Sequence, residues 1–233
     1  MIKSFLILII FSTFLSAAQQ IILVVSKDFN TSSAKMECFE GADIICESFD
    51  VNIGQKGLGW GLGEIQLKKN AGDAIKYEGD KKAPIGVFKL SSVFAYSKSN
   101  NFNMPYLHAS KKLICVDDSN SKKYNKIIPM PKKKPQSFEY MKRDDLQYEL
   151  GIVVEHNQNA IAGRGSCIFI HVQKAESAGT AGCTSMKLDH LKKIVSWLDE
   201  KKNPILIQIP ESSSAEVLEL YPELKNSTLL KNQ

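Results

Sequence analysis

The 233-residue sequence lacks several features that would assign a function class at once. It contains no internal repeat and no low-complexity linker, so a single domain is the simplest organisation. The net charge of +5 comes without a basic helix or a basic stripe interleaved with aromatics, which argues against a nucleic-acid partner. This modest excess favours contact with an anionic wall or membrane surface. No apolar run reaches the roughly 20 residues that span a membrane, so we expect no stable membrane anchor.

The first 18 residues have the order of parts that is typical of a secretory signal peptide. Lys3 supplies a positive charge, residues 5–15 form a short apolar run, and Ser16 and Ala18 are small residues suited to a cleavage site. We predict cleavage after Ala18 and a periplasmic or secreted mature protein. An uncleaved anchor is the alternative. No cysteine lies at the candidate cleavage site, so nothing indicates a lipid-anchored N-terminus.

The number of cysteines is odd, which matters in an exported protein. The five are Cys38, Cys46, Cys115, Cys167 and Cys183. One thiol is left over if the other four pair, and four cysteines allow three pairings. An oxidising compartment permits a hairpin bridge between the first two and a long-range bridge between the next two. Four buried thiols remain the alternative.

Periodicity predicts mostly strands. Strands are expected over residues 21–25, 33–39, 44–51, 87–93, 113–116, 151–155, 167–172 and 205–209. Apolar residues recur at three and four positions only over 188–198, which indicates one substantial helix. The helix–strand alternation of a doubly wound α/β fold is missing. We therefore predict a mainly β fold, a curved or sandwiched sheet with a helix on one side, over a mature domain of residues 19–211. The tail, 212–233, is expected to hold a short helix near 215–220 and to fray at its end.

One pair of residues has the pattern of a nucleophile and its base. His171 lies near the end of a predicted strand, and Cys183 follows the small residues 179–182 just before the helix. A cysteine near a helix N-terminus has a lowered pKa, and its thiolate is the reactive form. His171 within hydrogen-bond reach would take the proton. Main-chain amides around Gly182 and Cys183 would form an oxyanion hole.

Other interpretations of these residues remain open. His171 can be a satisfied core histidine, and Cys183 can be a packed thiol or half of a disulfide. Cys167, His171 and Cys183 could also bind zinc, although their spacing matches no closed zinc pattern. The order of histidine before cysteine argues against a papain-like protease.

The segment from His171 to Met186 resembles the active-site signature of the L,D-transpeptidase catalytic domain (YkuD) family. That signature has an upstream histidine and then Ser or Thr, His, Gly and Cys; Thr180, Gly182 and Cys183 match it. The likeness runs over about residues 21–210. Other segments that carry it are 57–61, 78–80, 83–88, 116–118, 124–125, 141–145 and 165–167.

Two positions depart from the family pattern. Ala181 replaces the histidine before the Gly-Cys pair, and Ser185 replaces an arginine that is associated with positioning the substrate. The spacing from His171 to Cys183 is also shorter than in many members. Arg164, just before the His171 strand, is a candidate for the missing positive charge. We expect Thr180, Arg164 and Ser185 to contact the substrate.

The resemblance implies a curved β-sandwich of the L,D-transpeptidase type and a cysteine acyltransferase acting on peptidoglycan stem peptides. Cys183 would attack the carbonyl before a terminal D-Ala, and the acyl group would pass to an amine, giving a cross-link, or to water. The carbonyl of Val172 would orient the His171 ring, and no metal or organic cofactor is expected. The alternatives are an L,D-carboxypeptidase only, a peptidase on other peptides with D-residues, and a non-catalytic cell-wall-binding protein on the same fold.

Overall fold

The computed structural model describes residues 18–98 and 101–230. The signal peptide predicted above lies outside the described residues, apart from Ala18. The strands are β1 (Gln20–Ser26), β2 (Ser33–Glu40), β3 (Asp43–Asn52), β4 (Leu58–Trp60), β5 (Ala83–Ala95), β6 (Tyr106–His108), β7 (Leu113–Cys115), β8 (Ile127–Pro129), β9 (Glu139–Tyr140), β10 (Leu150–Val154), β11 (Phe169–Val172), β12 (Thr184–Met186) and β13 (Ile205–Pro210). The α-helices are α1 (Leu188–Trp197) and α2 (Ser214–Leu220), and short 3-10 turns cover Glu200–Lys202, Glu211–Ser213 and Pro222–Asn226. No helix in the described ranges is long and apolar enough to cross a membrane.

The main sheet curves until it closes on itself. It has ten strands in the order β10-β11-β12-β3-β2-β1-β13-β5-β4, with β6 beside β5. Strand β10, at one end of the path, also pairs with β5, the strand next to the other end. β1 is buried along its whole length because β2 and β13 flank it on both sides. The prediction of a mainly β fold with a curved sheet and one substantial helix is confirmed.

Helix α1 packs its apolar stripe against the strands that carry the site. Leu191, Ile194 and Val195 form its buried face, and the helix contacts β10 and β11. The predicted short helix in the tail is also present, as α2. The expectation of a frayed end is wrong as far as Leu230, because Tyr221, Leu224 and Leu230 are buried in the core and stabilise the tail by removing apolar surface from water.

A second sheet of three strands, β8-β7-β9, lies beside the main one. A disulfide between Cys115, at the end of β7, and Cys167, just before β11, joins the two sheets. This is the long-range bridge that the sequence left open. Cys38 and Cys46 are free thiols opposite each other on β2 and β3, so the hairpin bridge is not formed in this structure.

Candidate active site

Two short parallel strands bring the predicted nucleophile and base together. β11 and β12 are neighbours, with Ile170 opposite Thr184 and His171 opposite Ser185. Cys183 directly precedes β12, so this register sets it beside Phe169 on β11. Residues two apart on a strand project from the same face, and Phe169 and His171 therefore share one face of β11.

The turn before Cys183 is held by Thr180. The Thr180 hydroxyl donates to the carbonyl of Cys183 at 2.6 Å and accepts the N–H of Gly182 at 3.0 Å. Gly182 has φ +150°, and a Cβ there would lie 3.0 Å from the carbonyl oxygen of Lys82. Glycine is therefore needed at this position for both space and backbone conformation. Thr180, predicted to contact substrate, has a structural role in this turn.

The Cys183 thiol is enclosed by main chain and apolar side chains. Its Sγ accepts the N–H of Phe169 at 3.3 Å and lies 3.6 Å from the carbonyl oxygen of Cys167. Burial, followed by the negative charge of Glu139, raises the pKa of Cys183 to about 12. The expectation of a lowered pKa is wrong for this resting state. Helix α1 begins only after β12, which removes the thiol from the first turn, and desolvation penalises the thiolate.

His171 is buried, and its ring is fixed by its neighbour in sequence. Nδ1 lies 2.8 Å from the carbonyl oxygen of Val172, the contact predicted for that carbonyl. Since a carbonyl can only accept, Nδ1 carries the proton and Nε2 is left unprotonated. Burial lowers the pKa of His171 to about 4, so the imidazole is neutral near pH 7. Among the described residues, the thiol's hydrogen bonds are to main chain and not to this ring.

A tyrosine and a glutamate behind the site were missed by the sequence analysis. The Tyr148 ring is edge-on to His171, with centroids 5.2 Å apart, and its hydroxyl donates to Glu139 at 2.5 Å. The Arg143 guanidinium also lies over the Tyr148 ring, 5.1 Å from its centroid. Burial raises the pKa of the Glu139 carboxyl. The likeness of 141–145 to the family was the one signal available, and it gave no role to Tyr148 or Glu139.

A buried lysine beside the Gly182 turn was also missed. Lys76 is 2% exposed, and its ammonium pairs with Asp80 at 2.5 Å. If Gly182 carried a Cβ atom, the Lys76 Nζ would lie 3.6 Å from it. The positive charges that lower the pKa of Cys183 come from Lys76 and Arg143.

The structure gives the surroundings of Arg164 and Ser185, and their contact with a substrate stays a prediction. The Arg164 guanidinium stacks over Tyr77 at 5.6 Å, and its Nε donates to the carbonyl of Lys76 at 3.3 Å. It therefore supports Lys76 instead of facing the thiol. Ser185 lies opposite His171 and is buried, as His171 and Cys183 are.

Comparison with protein families assigns the chain to a family over most of its length. A family model for the L,D-transpeptidase catalytic domain matches residues 21–207. The chain belongs to the L,D-transpeptidase catalytic domain (YkuD) family. The matched range contains His171, Cys183 and both sheets, and the members of this family are L,D-transpeptidases that act on peptidoglycan stem peptides. Searches of curated proteins and of solved structures gave no match.

Cys167 is not available as a zinc ligand in this L,D-transpeptidase-family protein. Its sulfur is bonded to Cys115, so it is not a free ligand, and the described ranges contain no group of three His, Cys, Asp or Glu residues placed to hold a metal. Two cavities in the described part, of ≈ 710 and ≈ 210 Å³, are lined by residues other than Cys183 and His171.

Proposed function

We propose that this protein is an exported cysteine acyltransferase that cleaves the L-to-D bond before a terminal D-Ala of peptidoglycan stem peptides. The acyl group passes from Cys183 to an amine of a second stem, giving a cross-link, or to water, giving carboxypeptidase activity. The observation that carries the proposal is the locked ring of His171, whose Nδ1–H is committed to Val172. The Nε2 atom therefore carries no proton and can act as a base. His171 lies on β11, which pairs with β12, the strand that begins directly after Cys183.

The reaction follows from these protonation states. The thiol and the imidazole are both neutral at rest, because their pKa values are about 12 and about 4. His171 therefore takes the thiol proton as the sulfur attacks the carbonyl, and it returns that proton to the departing D-Ala amine. A Cys183 thioester remains. The acceptor amine or water then attacks the thioester carbonyl and gives its proton to His171, and His171 returns that proton to the departing Cys183 sulfur.

The oxyanion of the tetrahedral intermediate needs a donor near Cys183. The Gly182 N–H already donates to Thr180, so we assign this role to the main-chain amide of Cys183. Such donors act most strongly in a water-excluded site, and the buried thiol provides that environment.

Export is part of the proposal and rests on the N-terminal signal sequence. The disulfide between Cys115 and Cys167 supports it, since such bonds form and persist in oxidising compartments.

The test is intact-mass analysis of the mature protein during incubation with a disaccharide-tetrapeptide. We expect a transient adduct on Cys183 with release of D-Ala, and its loss in Cys183→Ala. Cys46→Ala is the matched control, because it removes a second free thiol that lies on β3. No adduct and no D-Ala release from the unmodified protein would refute the proposal for this substrate. The products distinguish cross-linking from hydrolysis.

A non-catalytic wall-binding protein is the second candidate, and the buried thiol favours it. A cysteine whose pKa is raised to about 12 is unreactive at rest. This candidate predicts sedimentation with purified sacculi that Cys183→Ala leaves unchanged, with no release of D-Ala. Release of D-Ala that depends on Cys183 would exclude it.

A further inference from the structure

Lys76 carries a charge in a place where a charge is costly. It is 2% exposed, and its ammonium donates to Asp80 at 2.5 Å and to the carbonyl of Tyr77 at 2.7 Å. A buried ion pair contributes little net stability, because the desolvation of both charges offsets their attraction. Stability therefore gives no sufficient reason for a lysine here.

The surroundings fix the position of this ammonium. The main-chain N–H of Lys76 donates to Trp60 at 3.0 Å, and its carbonyl accepts from Arg164. A Cβ at Gly165 would lie 3.0 Å from the Lys76 Cε, so the side chain occupies space that only a glycine leaves free. Asp80 is itself held by the N–H groups of Tyr77 and Lys82.

This fixed charge lies against the nucleophile's turn. The Lys76 Nζ would be 3.6 Å from a Cβ on Gly182, the residue before Cys183. An ammonium has three N–H donors, and in the described part of the chain two of them have partners, Tyr77 and Asp80. One N–H donor of the ammonium therefore remains available beside the turn, while Asp80 offsets much of its positive charge.

Several other charged groups act on the same thiol. Glu139 disfavours the thiolate, while Lys76 and Arg143 favour it. Arg143, however, makes a bidentate pair with Asp145, which neutralises much of its field. The neutral His171 and the Tyr148 hydroxyl bring no net charge.

We propose that Lys76 is a positioning residue of the proposed acyl transfer, whose ammonium stabilises negative charge on the Cys183 sulfur, and that Asp80 limits this effect. The inference rests on the proposed function. It assigns to Lys76 a positive charge at the site that was expected of Arg164, and Arg164 supports it from behind through the Lys76 carbonyl.

The test measures the thiol itself and needs no substrate. The rate at which iodoacetamide, a small neutral reagent, alkylates Cys183 is followed against pH by peptide mass spectrometry. We expect Lys76→Met to move the curve of alkylation rate against pH upward by ~1 pH unit, which slows alkylation at fixed pH about tenfold. Asp80→Asn should move it downward, because it leaves the ammonium unopposed. Lys76→Arg keeps the charge and should restore most of the reactivity.

Opposite shifts separate an electrostatic role from a structural one, since a loosened turn would move both variants in the same direction. Lys81→Met, an exposed residue in the same loop, controls for the loss of one charge. An unmoved curve of rate against pH in Lys76→Met, or equal shifts in both variants, would overturn the inference and leave the proposed function standing. A Cys183 that reacts at no pH would refute both. If circular dichroism shows that Lys76→Met does not fold, Asp80→Asn alone tests the inference. A downward shift in that variant supports it, and no downward shift overturns it.

Discussion

The main-chain N–H of Phe169 points at the Sγ atom of Cys183, 3.3 Å away. The strand that carries His171 therefore also fixes the sulfur, so the proposed nucleophile and the proposed base are held by the same strand. A hydrogen bond to sulfur favours the thiolate, but burial acts more strongly in the opposite direction. The resting site thus holds a neutral thiol whose ionisation depends on the few charges around it.

The first prediction concerns stability in acid. His171 and His156 have pKa values lowered to about 4 by burial, so the unfolded chain binds more protons than the folded one between pH 6.5 and 4. Stability is therefore present above that window and is lost as the pH falls through it, by about 1.4 kcal/mol per pH unit for each histidine. Urea unfolding at several pH values measures it.

The matched variants for this prediction are His171→Gln and His108→Gln. His171→Gln should remove one histidine's contribution to the slope of unfolding free energy against pH. His108 is exposed on β6, so His108→Gln should leave that slope unchanged. Glu139, whose pKa is raised by burial, contributes with the opposite sign, so the difference between variants is the quantity to compare. Equal slopes in all three proteins would contradict the prediction.

The second prediction concerns Thr180. Thr180→Val keeps the shape but removes the hydroxyl that bonds the Cys183 carbonyl and the Gly182 N–H. We expect a loss of ~1–3 kcal/mol in unfolding free energy, and faster iodoacetamide labelling of Cys183 because its turn is freed. Thr180→Ser retains the hydroxyl and should behave like the parent. Unchanged stability and labelling in Thr180→Val would show that the hydroxyl does not hold the turn.

The third prediction concerns the glycine before the nucleophile. Gly182→Ala places a Cβ 3.0 Å from the Lys82 carbonyl at φ +150°, so strain and a close contact combine. We expect a destabilisation of ~1–3 kcal/mol together with loss of acyl-enzyme formation. Gly72→Ala is the control, because it has φ +90° but nothing within 4 Å. Equal effects of the two substitutions would show that the close contact is unimportant.

The fourth prediction concerns the disulfide that joins the two sheets. Cys115 and Cys167 are 52 residues apart, and opening a loop of that size should lower the unfolding free energy by about 4 kcal/mol. Adding a phosphine reductant should reproduce the effect of replacing both cysteines by serine. The reductant should have no further effect on the double variant. A reductant that leaves the unmodified protein equally stable would refute the prediction.

Much of the fold and half of the site followed from local sequence. The strand β1 and the helix α1 were predictable because an apolar run or a repeat of three and four residues is a property of neighbours in the chain. Likewise His171 and Cys183 could be singled out, since a histidine at a strand end and a cysteine after small residues are local patterns. The resemblance to the L,D-transpeptidase family joined these pieces into one domain.

The remainder was decided by contacts between residues far apart in sequence. Pairing of β10 with β5 closes the sheet, and no local pattern indicates it. Lys76 reaches the Gly182 turn across more than a hundred residues of chain, so its position was invisible in the sequence. The pKa of Cys183 was predicted in the wrong direction for the same reason. A thiol's ionisation depends on how much water surrounds it, and only the packed structure determines that.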